Sequence, residues 1–381
     1  MNSNNSILNK KGSNPQISFS ELRDLVSSKF RIVDAYIDIN GTPTFIIFPE
    51  NLKEKFEKLV FRVYEYGLMP ILRMENNNLI LRFREAPPTK RIKRTRNILL
   101  FFVTLITIFI AGYFLWTTNE LWSSILMPRA NPFGQAAIFS ICLISIIGLH
   151  EMGHKLACSF HKIRSTLPYF IPGPPPFGTF GAVISLKKPP INRNQLFDLG
   201  ISGPIAGLTV TIIVCVFSIL TGRIIPEVQL AELEGMVSPV SWPSSPLLFM
   251  AIFQIIESFN IMHVPQGATL ILAQTFLAAW VGALLTFLNT MPVWQLDGGH
   301  VARAVLGPKG HRMASILGLG ILAFSGYWFF ALFILFFMMF SRRSFMGAEP
   351  LDDVTPLSTS RKISYFILLS IPVMCFVIPP L

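Results

Sequence analysis

The sequence predicts an α-helical polytopic membrane protein with about six transmembrane helices and a small N-terminal α+β cytoplasmic domain. Three observations carry that prediction. The 381 residues are 51% hydrophobic and only 14% charged, with a mean hydropathy of +0.53, whereas soluble domains average about 25% charged residues. From residue 97 onward, apolar runs long enough to cross a bilayer recur, the requirement being about 20 residues. One of these runs, 133–149, carries no charged side chain and then delivers His150, Glu151 and His154 together. Ionisable groups at membrane depth are costly and mark functional sites.

The chain divides into a polar, disordered tail over 1–14, a small soluble domain over 15–87, a basic juxtamembrane linker over 88–96 and a membrane domain over 97–381. Within the soluble domain, Ser20 is placed to cap a helix running to about Lys29. Residues 31–40 alternate as a strand, Asn40-Gly41 marks a turn, and 42–48 form a second strand. Leu52, Phe56, Leu59, Val60 and Val63 fall at helical spacing, with Gly67 as the C-terminal stop. A second hairpin, 69–75 with 79–85, turns at Asn76-Asn77-Asn78. The order is α-β-β-α-β-β, and no catalytic constellation lies in it.

The expected spans are 97–116, 133–158, 195–220, 269–290, 313–340 and 363–379. The fifth reads either as one long span or as a hairpin broken near Ser325-Gly326. The segment 246–261 is apolar but short and reads as re-entrant or interfacial. Gly200, Gly203 and Gly207 on the third span allow close helix packing.

The net charge is +11, and much of the excess lies in Lys90-Arg91-Ile92-Lys93-Arg94-Thr95-Arg96. Beside a membrane span, that cluster is a topology signal rather than a nucleic-acid patch. It places the N-terminal domain in the cytoplasm. The second span then exits at Lys155, Lys162 and Arg164, so the His pair lies near the cytoplasmic end of its helix. The acidic stretch with Glu227, Glu232 and Glu234 fits the opposite side. Past residue 340 the signals at Arg342-Arg343 and Arg361-Lys362 leave the side of the C-terminus open. Cys142, Cys158, Cys215 and Cys375 lie in or beside apolar segments without metal-site spacing, and read as packing residues. The polar N-terminus shows no secretory signal pattern.

His150-Glu151-Met152-Gly153-His154 is an H-E-x-x-H motif. On a helix, positions i and i+4 share a face, so His150 and His154 can hold one metal ion, with Glu151 set to reach a water beside it. Catalytic zinc needs a third protein ligand and an open position. Asp297 is the preferred third ligand, arriving from a later span at similar depth, and His300 is its competitor. Pro292, Gly298 and Gly299 free the local backbone from regular helix, which is tolerable where it lines a cavity. Asn289 is placed to hydrogen-bond a substrate backbone or to steady the site. His161 reads as interfacial, His263 and His311 as loop residues, and Asp198 as a helix N-terminal charge.

These residues carry a family resemblance. His150-Glu151-x-x-His154, Asn289-x-x-Pro292 and Leu296-Asp297-Gly298-Gly299 resemble the motifs of site-2 proteases, the intramembrane zinc metalloproteases. Phe177-Gly178-Thr179-Phe180-Gly181-Ala182, Gly203-Pro204-x-Ala206-Gly207 and Leu351-Asp352-Asp353-Val354-Thr355-Pro356-Leu357 are similar to its plastid and prokaryotic branch, the EGY-type proteins. The resemblance covers roughly 97–362 and implies a site-2 protease-like core. It implies one zinc ion per chain on His150, His154 and Asp297, with Glu151 activating water. It implies that Asn289 contacts substrate or the reacting carbonyl, and that 177–186 form a membrane-associated hairpin or loop. There Phe177, Gly178, Thr179, Phe180 and Gly181 would offer an edge to an unwound substrate. Strand addition stabilises an extended peptide, and cleavage needs one because helical peptide bonds are shielded. The family's common PDZ insertion is not evident in 222–267.

The expected function is therefore hydrolysis of peptide bonds in transmembrane protein substrates near the cytoplasmic side of a bilayer, without nucleic-acid partners. The expected location is a multi-pass position in a cell membrane or plastid-type membrane. A non-proteolytic membrane scaffold or chaperone is the alternative. A metal transporter fits less well, because ionisable residues cluster once instead of recurring along several spans.

Overall fold

A capping box opens the chain's first helix. The computed structural model describes residues 17–86, 94–119, 123, 127, 129–234, 244–272, 274–340 and 349–378. The tail 1–14, residues 88–93 of the basic linker and Arg342-Arg343 lie outside the described residues. Helix α1 (Phe19–Ser27) is capped by Ser18, two residues earlier than Ser20 suggests. The Ser18 hydroxyl accepts from the Glu21 N–H at 3.3 Å, and Glu21 Oε2 accepts from the Ser18 N–H at 2.7 Å. Strands β1 (Ile32–Ile37) and β2 (Pro43–Ile47), helix α2 (Leu52–Tyr64), and strands β3 (Leu68–Glu75) and β4 (Asn78–Glu85) complete the α-β-β-α-β-β module. Asn76 and Asn77 both take positive φ, +48° and +63°, giving the two-residue turn that suits a twisted hairpin. The antiparallel sheet runs β1-β2-β4-β3, so β3 is an edge.

The membrane part starts with α3 (Arg94–Thr118) and α4 (Pro132–Phe160). The Asn131 side chain accepts from the Phe133 N–H, and Pro132 occupies the first turn, where its missing N–H costs nothing. A short antiparallel pair, β5 (Tyr169–Pro172) and β6 (Thr179–Val183), precedes α5 (Arg193–Leu220). Next come β7 (Arg223–Pro226), α6 (Glu227–Glu234), α7 (Leu247–Ser258), β8 (Ala268–Ile271) and α8 (Gln274–Thr290). The chain continues through α9 (Asp297–Leu322), a π-helical stretch (Ala323–Tyr327) and α10 (Trp328–Phe340), and ends in α11 (Thr359–Leu368) and α12 (Ser370–Met374).

Among the described residues, four helical stretches are long and apolar enough to cross a membrane: α3, α4, α5 and Asp297–Phe340. Two expected spans are shorter than the sequence suggests. The start of the 269–290 run is strand, because Thr269 and Ile271 pair with Ile225 and Arg223 of β7. That leaves a 17-residue helix, α8. The 363–379 run is broken after Leu368, where Pro372 has no N–H for the carbonyl one turn back. The 313–340 run is interrupted where the sequence marks it, with Gly326 at φ +91°. Helix α7, 12 residues long, is too short to cross alone. All four cysteines are free.

The segment 349–357 ties the two parts together. The Leu72 N–H donates to the Leu351 carbonyl (2.9 Å), which extends edge strand β3 in parallel. On its other side the Asp352 N–H donates to the Ile191 carbonyl (2.7 Å). Leu351 and Ile191 are buried in the core of the N-terminal module with Leu22, Phe45, Phe56 and Leu81. Behind the strap, Asp353 accepts from Arg303 Nη1 (3.0 Å), Arg303 Nη2 (2.7 Å) and Arg193 Nε (3.0 Å). Arg303 belongs to α9 and Arg193 to α5, so this buried cluster joins the strap to two membrane helices.

Candidate metal centre

Helix α4 presents His150 and His154 one turn apart on a buried face, with Glu151 beside them; the three are 8%, 8% and 6% exposed. Asp297, the first residue of α9, reaches both histidines. The His150 Nε2 to Asp297 Oδ2 distance is 3.1 Å, His154 Nε2 to Asp297 Oδ2 is 3.3 Å, and the two Nε2 atoms are 3.2 Å apart. Zinc holds nitrogen and oxygen ligands at about 2.0–2.1 Å in a tetrahedron, whose edges are then about 3.3 Å. Three edges of that size are already assembled.

The ring orientation fits as well. His154 Nδ1 lies 2.7 Å from the Leu199 carbonyl. A carbonyl only accepts, so Nδ1 carries the proton and Nε2 of the neutral ring turns a free lone pair to the centre. His300, the competing ligand, is half-buried, with a buried Nδ1 that has no partner, and is not part of this triangle. It lines the same cavity.

Glycines set the depth of the site. Gly203 and Gly207 of α5 face His154 and His150 respectively, the same i, i+4 spacing read from the opposite helix. A methyl group at Gly203 would run into the His154 imidazole, and one at Gly207 would lie 3.0 Å from His150 Nδ1. Gly153 on α4 similarly admits the Ser202 carbonyl. Gly200 continues the same face toward the Asp297 carbonyl, so α5 is the wall shared by α4 and α9. At the start of α9, Gly298 sits against the Thr290 carbonyl and Gly299 against the Trp294 carbonyl. The loop that aims Asp297 folds too tightly there for a side chain, and Trp294 takes a positive φ of +44°.

Gly203→Ala tests this packing. Its expected effect is about 10- to 100-fold weaker metal binding, the cost typical of a misplaced ligand. Competition with a chromophoric chelator reads it out; unchanged affinity would mean that α5 does not set the His154 position. Gly207→Ala should be milder, because its contact begins at 3.0 Å.

The cavity over the site is about 300 Å³, lined by His150, Glu151, His154, Asp297, Asn289 and Gln295 among others. Asn289 is thus at the site. The segment expected to meet substrate lines the cavity only in part. Ala182, Val183, Ile184 and Leu186 line the cavity, whereas Phe177, Gly178, Thr179, Phe180 and Gly181 do not. The cause is local: Gly178, at φ +74°, packs on the α3 backbone at Thr107, whose hydroxyl donates to the Gly178 carbonyl at 2.6 Å. Phe180 is exposed. The hairpin is also larger than 177–186, since its first strand is 169–172.

Three contributors escaped the sequence reading: the Leu199 carbonyl, Gln295 and the facing role of Gly203 and Gly207. Only the glycines left a signal, a G-x-x-x-G that matches the H-x-x-x-H in period. His311 is another revision. It lies in the second half of α9, 1% exposed, and not in a loop, because the chain leaves helical geometry only at Gly307 and is helical again directly beyond it.

Fold and site define a membrane protein with four helical stretches able to span a bilayer and a buried, helix-borne cluster of two histidines and a glutamate that could hold a metal ion, with an aspartate against both histidines. The chain belongs to peptidase family M50, whose model matches residues 138–333. It is similar to the probable zinc metalloprotease EGY2, chloroplastic, of Oryza sativa subsp. indica, at 30% identity over 198 residues, covering 50% of this chain and 34% of that one. The probable zinc metalloprotease EGY1, chloroplastic, of Oryza sativa subsp. japonica is 29% identical over 203 residues, covering 51% and 34%. The EGY1 protein of Arabidopsis thaliana is 30% identical over 194 residues, covering 51% and 33%. The matched part spans about a third of the length of these relatives. No solved structure matches the chain.

Proposed function

We propose that this chain is an intramembrane zinc metalloprotease that hydrolyses peptide bonds of transmembrane protein substrates near the cytoplasmic side of the bilayer. The observation that carries the reading is the triangle of His150 Nε2, His154 Nε2 and Asp297 Oδ2, with sides of 3.1–3.3 Å. Membership of peptidase family M50 and the likeness to proteins named as zinc metalloproteases support it. His150, His154 and Asp297 hold one zinc ion. When bound, zinc supplies Lewis acidity, polarising the scissile carbonyl and bringing the pKa of water to about 7.

The remaining work falls to the chain's own side chains. Glu151 takes a proton from the attacking water and returns it to the leaving amine nitrogen. Asn289, on the cavity wall, donates from Nδ2 to the substrate carbonyl oxygen and holds the bond in line for attack. The far end of β6 and the residues just beyond it, Ala182 to Leu186, carry the extended substrate past Glu151, with 177–181 guiding its approach. Pro168, Pro172, Pro174, Pro175 and Pro176 keep that approach non-helical.

Basic residues at 90–96 and after α4 support an N-terminal module and metal centre on the cytoplasmic side. Helix α8 and the broken 363–379 run, added to the four long stretches, support a total of about six crossings.

The test is metal analysis of the purified full chain and its His154→Ala variant, paired with cleavage of a model transmembrane substrate. The expected result is one zinc per chain and cleavage, both lost in the variant. Equal zinc content in the two proteins would overturn the ligand set. Stoichiometric zinc without cleavage of any co-expressed membrane protein would overturn the protease reading in favour of a scaffold.

A further inference from the structure

We propose that the cleft between the N-terminal module and the ends of the membrane helices binds a phosphate-bearing anion, and that its occupant is the headgroup of an anionic phospholipid. A cavity of about 380 Å³ opens there. Its walls come from four places: α2, the end of α4, the start of α5, and α11.

Basic side chains from three of these elements converge on it. Lys53 comes from α2, His161 and Lys162 from the end of α4, and Arg361 from α11. Two carboxylates oppose them. Glu57 lines the cleft and accepts from Asn192 Nδ2 at 2.7 Å. Asp198 sits behind, accepting from Arg361 Nε (2.7 Å), Arg361 Nη2 (2.6 Å) and His161 Nε2 (2.8 Å). Lys53, Lys162 and Arg361 still outnumber the two acids. Asp198 holds the Arg361 guanidinium rigid, so its charge is in place before any ligand arrives. The N-terminus of α5 also opens on the cleft through Asn192, Asn194 and Gln195, and its dipole favours an anion.

Two further observations select a lipid over a soluble phosphate. Between Lys155 and Arg193 inclusive the chain has six Lys or Arg residues and no Asp or Glu, a basic belt at the surface end of a membrane helix. Two phenylalanines share the cleft: Phe160, the last residue of α4, is 80% exposed, and Phe61 of α2 is 50% exposed. A lipid covers such rings with its glycerol and acyl region, while a free anion leaves them in water. A bound lipid would bridge the N-terminal module to the helix that carries His150 and His154.

The experiment uses the full chain in mild detergent. Native mass spectrometry compares phosphatidylglycerol with phosphatidylcholine of the same acyl chains. A third arm adds glycerol phosphate. The test variant is Lys53→Gln with Lys162→Gln; the control, Lys29→Gln with Lys58→Gln, removes the same charge from outside the cleft. The expected result is selective retention of phosphatidylglycerol, weakened about 25-fold in the test variant at about fivefold per lysine, and nearly unchanged in the control. Phosphatidylglycerol held no better than phosphatidylcholine, or lost equally in both variants, or lost in neither, would overturn the site. Glycerol phosphate binding as tightly as the lipid would overturn the lipid as its occupant.

Discussion

Glu151→Gln is expected to keep its zinc and lose about 10²- to 10⁴-fold in cleavage rate, the range for removing a general acid–base group. The substitution preserves the shape of a side chain that is only 6% exposed, so packing around α4 is little disturbed. It replaces a carboxylate that can take a proton with an amide that cannot. His150, His154 and Asp297 are untouched, so metal content should match the wild type. Rate and metal content must therefore separate. A variant that still cleaves at the wild-type rate would remove Glu151 from the mechanism. Equal loss of zinc and cleavage would make Glu151 a ligand, a reading the geometry leaves room for, since its carboxylate lies within 4.8 Å of both histidine nitrogens.

Asp353→Ala is expected to destabilise the fold by about 3–5 kcal/mol, the cost of stripping a partner from a buried ion cluster. The Arg303 side chain is 1% exposed and that of Asp353 7%, so neither charge has water to fall back on. The double change Asp353→Leu with Arg303→Met should recover much of that loss, because it leaves fewer unpaired charges. Thermal unfolding of the detergent-solubilised chain measures both; a single-variant loss under about 1 kcal/mol, the level of an exposed pair, would show that the cluster is solvated. The cluster also gives a pH signature. Burial raises the Asp353 pKa, but the Arg303 hydrogen bonds and the charges of Arg303 and Arg193 outweigh it and hold the carboxyl below the usual range. The folded-state value is thus lower than the unfolded one, near 3.9. This stabilisation is present above pH of about 4 and is lost as pH falls toward the folded value. Asp353→Ala should therefore flatten the acid limb of the stability profile.

The local parts of the site were legible in the sequence. H-E-x-x-H needs only helical periodicity to place two imidazoles together. Asp297 was legible by its cost, as a carboxylate beside an apolar run. What failed to show was non-local or carried by backbone. The Leu199 carbonyl has no side-chain signature. Asp353 looked like part of a family segment, and nothing in the sequence pairs it with Arg303, 50 positions earlier. The fold was misread where two signals coincide. Residues 269–271 are apolar and β-branched enough to extend a span or to pair with β7, and the ladder won. Gly307-Pro308 reads as a loop in sequence, yet the helix resumes beyond it.

The strap has a consequence for the order of assembly. Arg73 donates to the carbonyl of Leu351, which is made 278 residues later. The N-terminal module is synthesised first, but its edge strand stays open, and its core lacks Leu351, until nearly the whole membrane part has been translated. Contacts of such sequence separation form slowly, and an open edge strand is a template for pairing with another chain. During synthesis the nascent chain passes through a long interval in which β3 must be kept from foreign strands, and the strap can close only after helices α3 to α10 have been made.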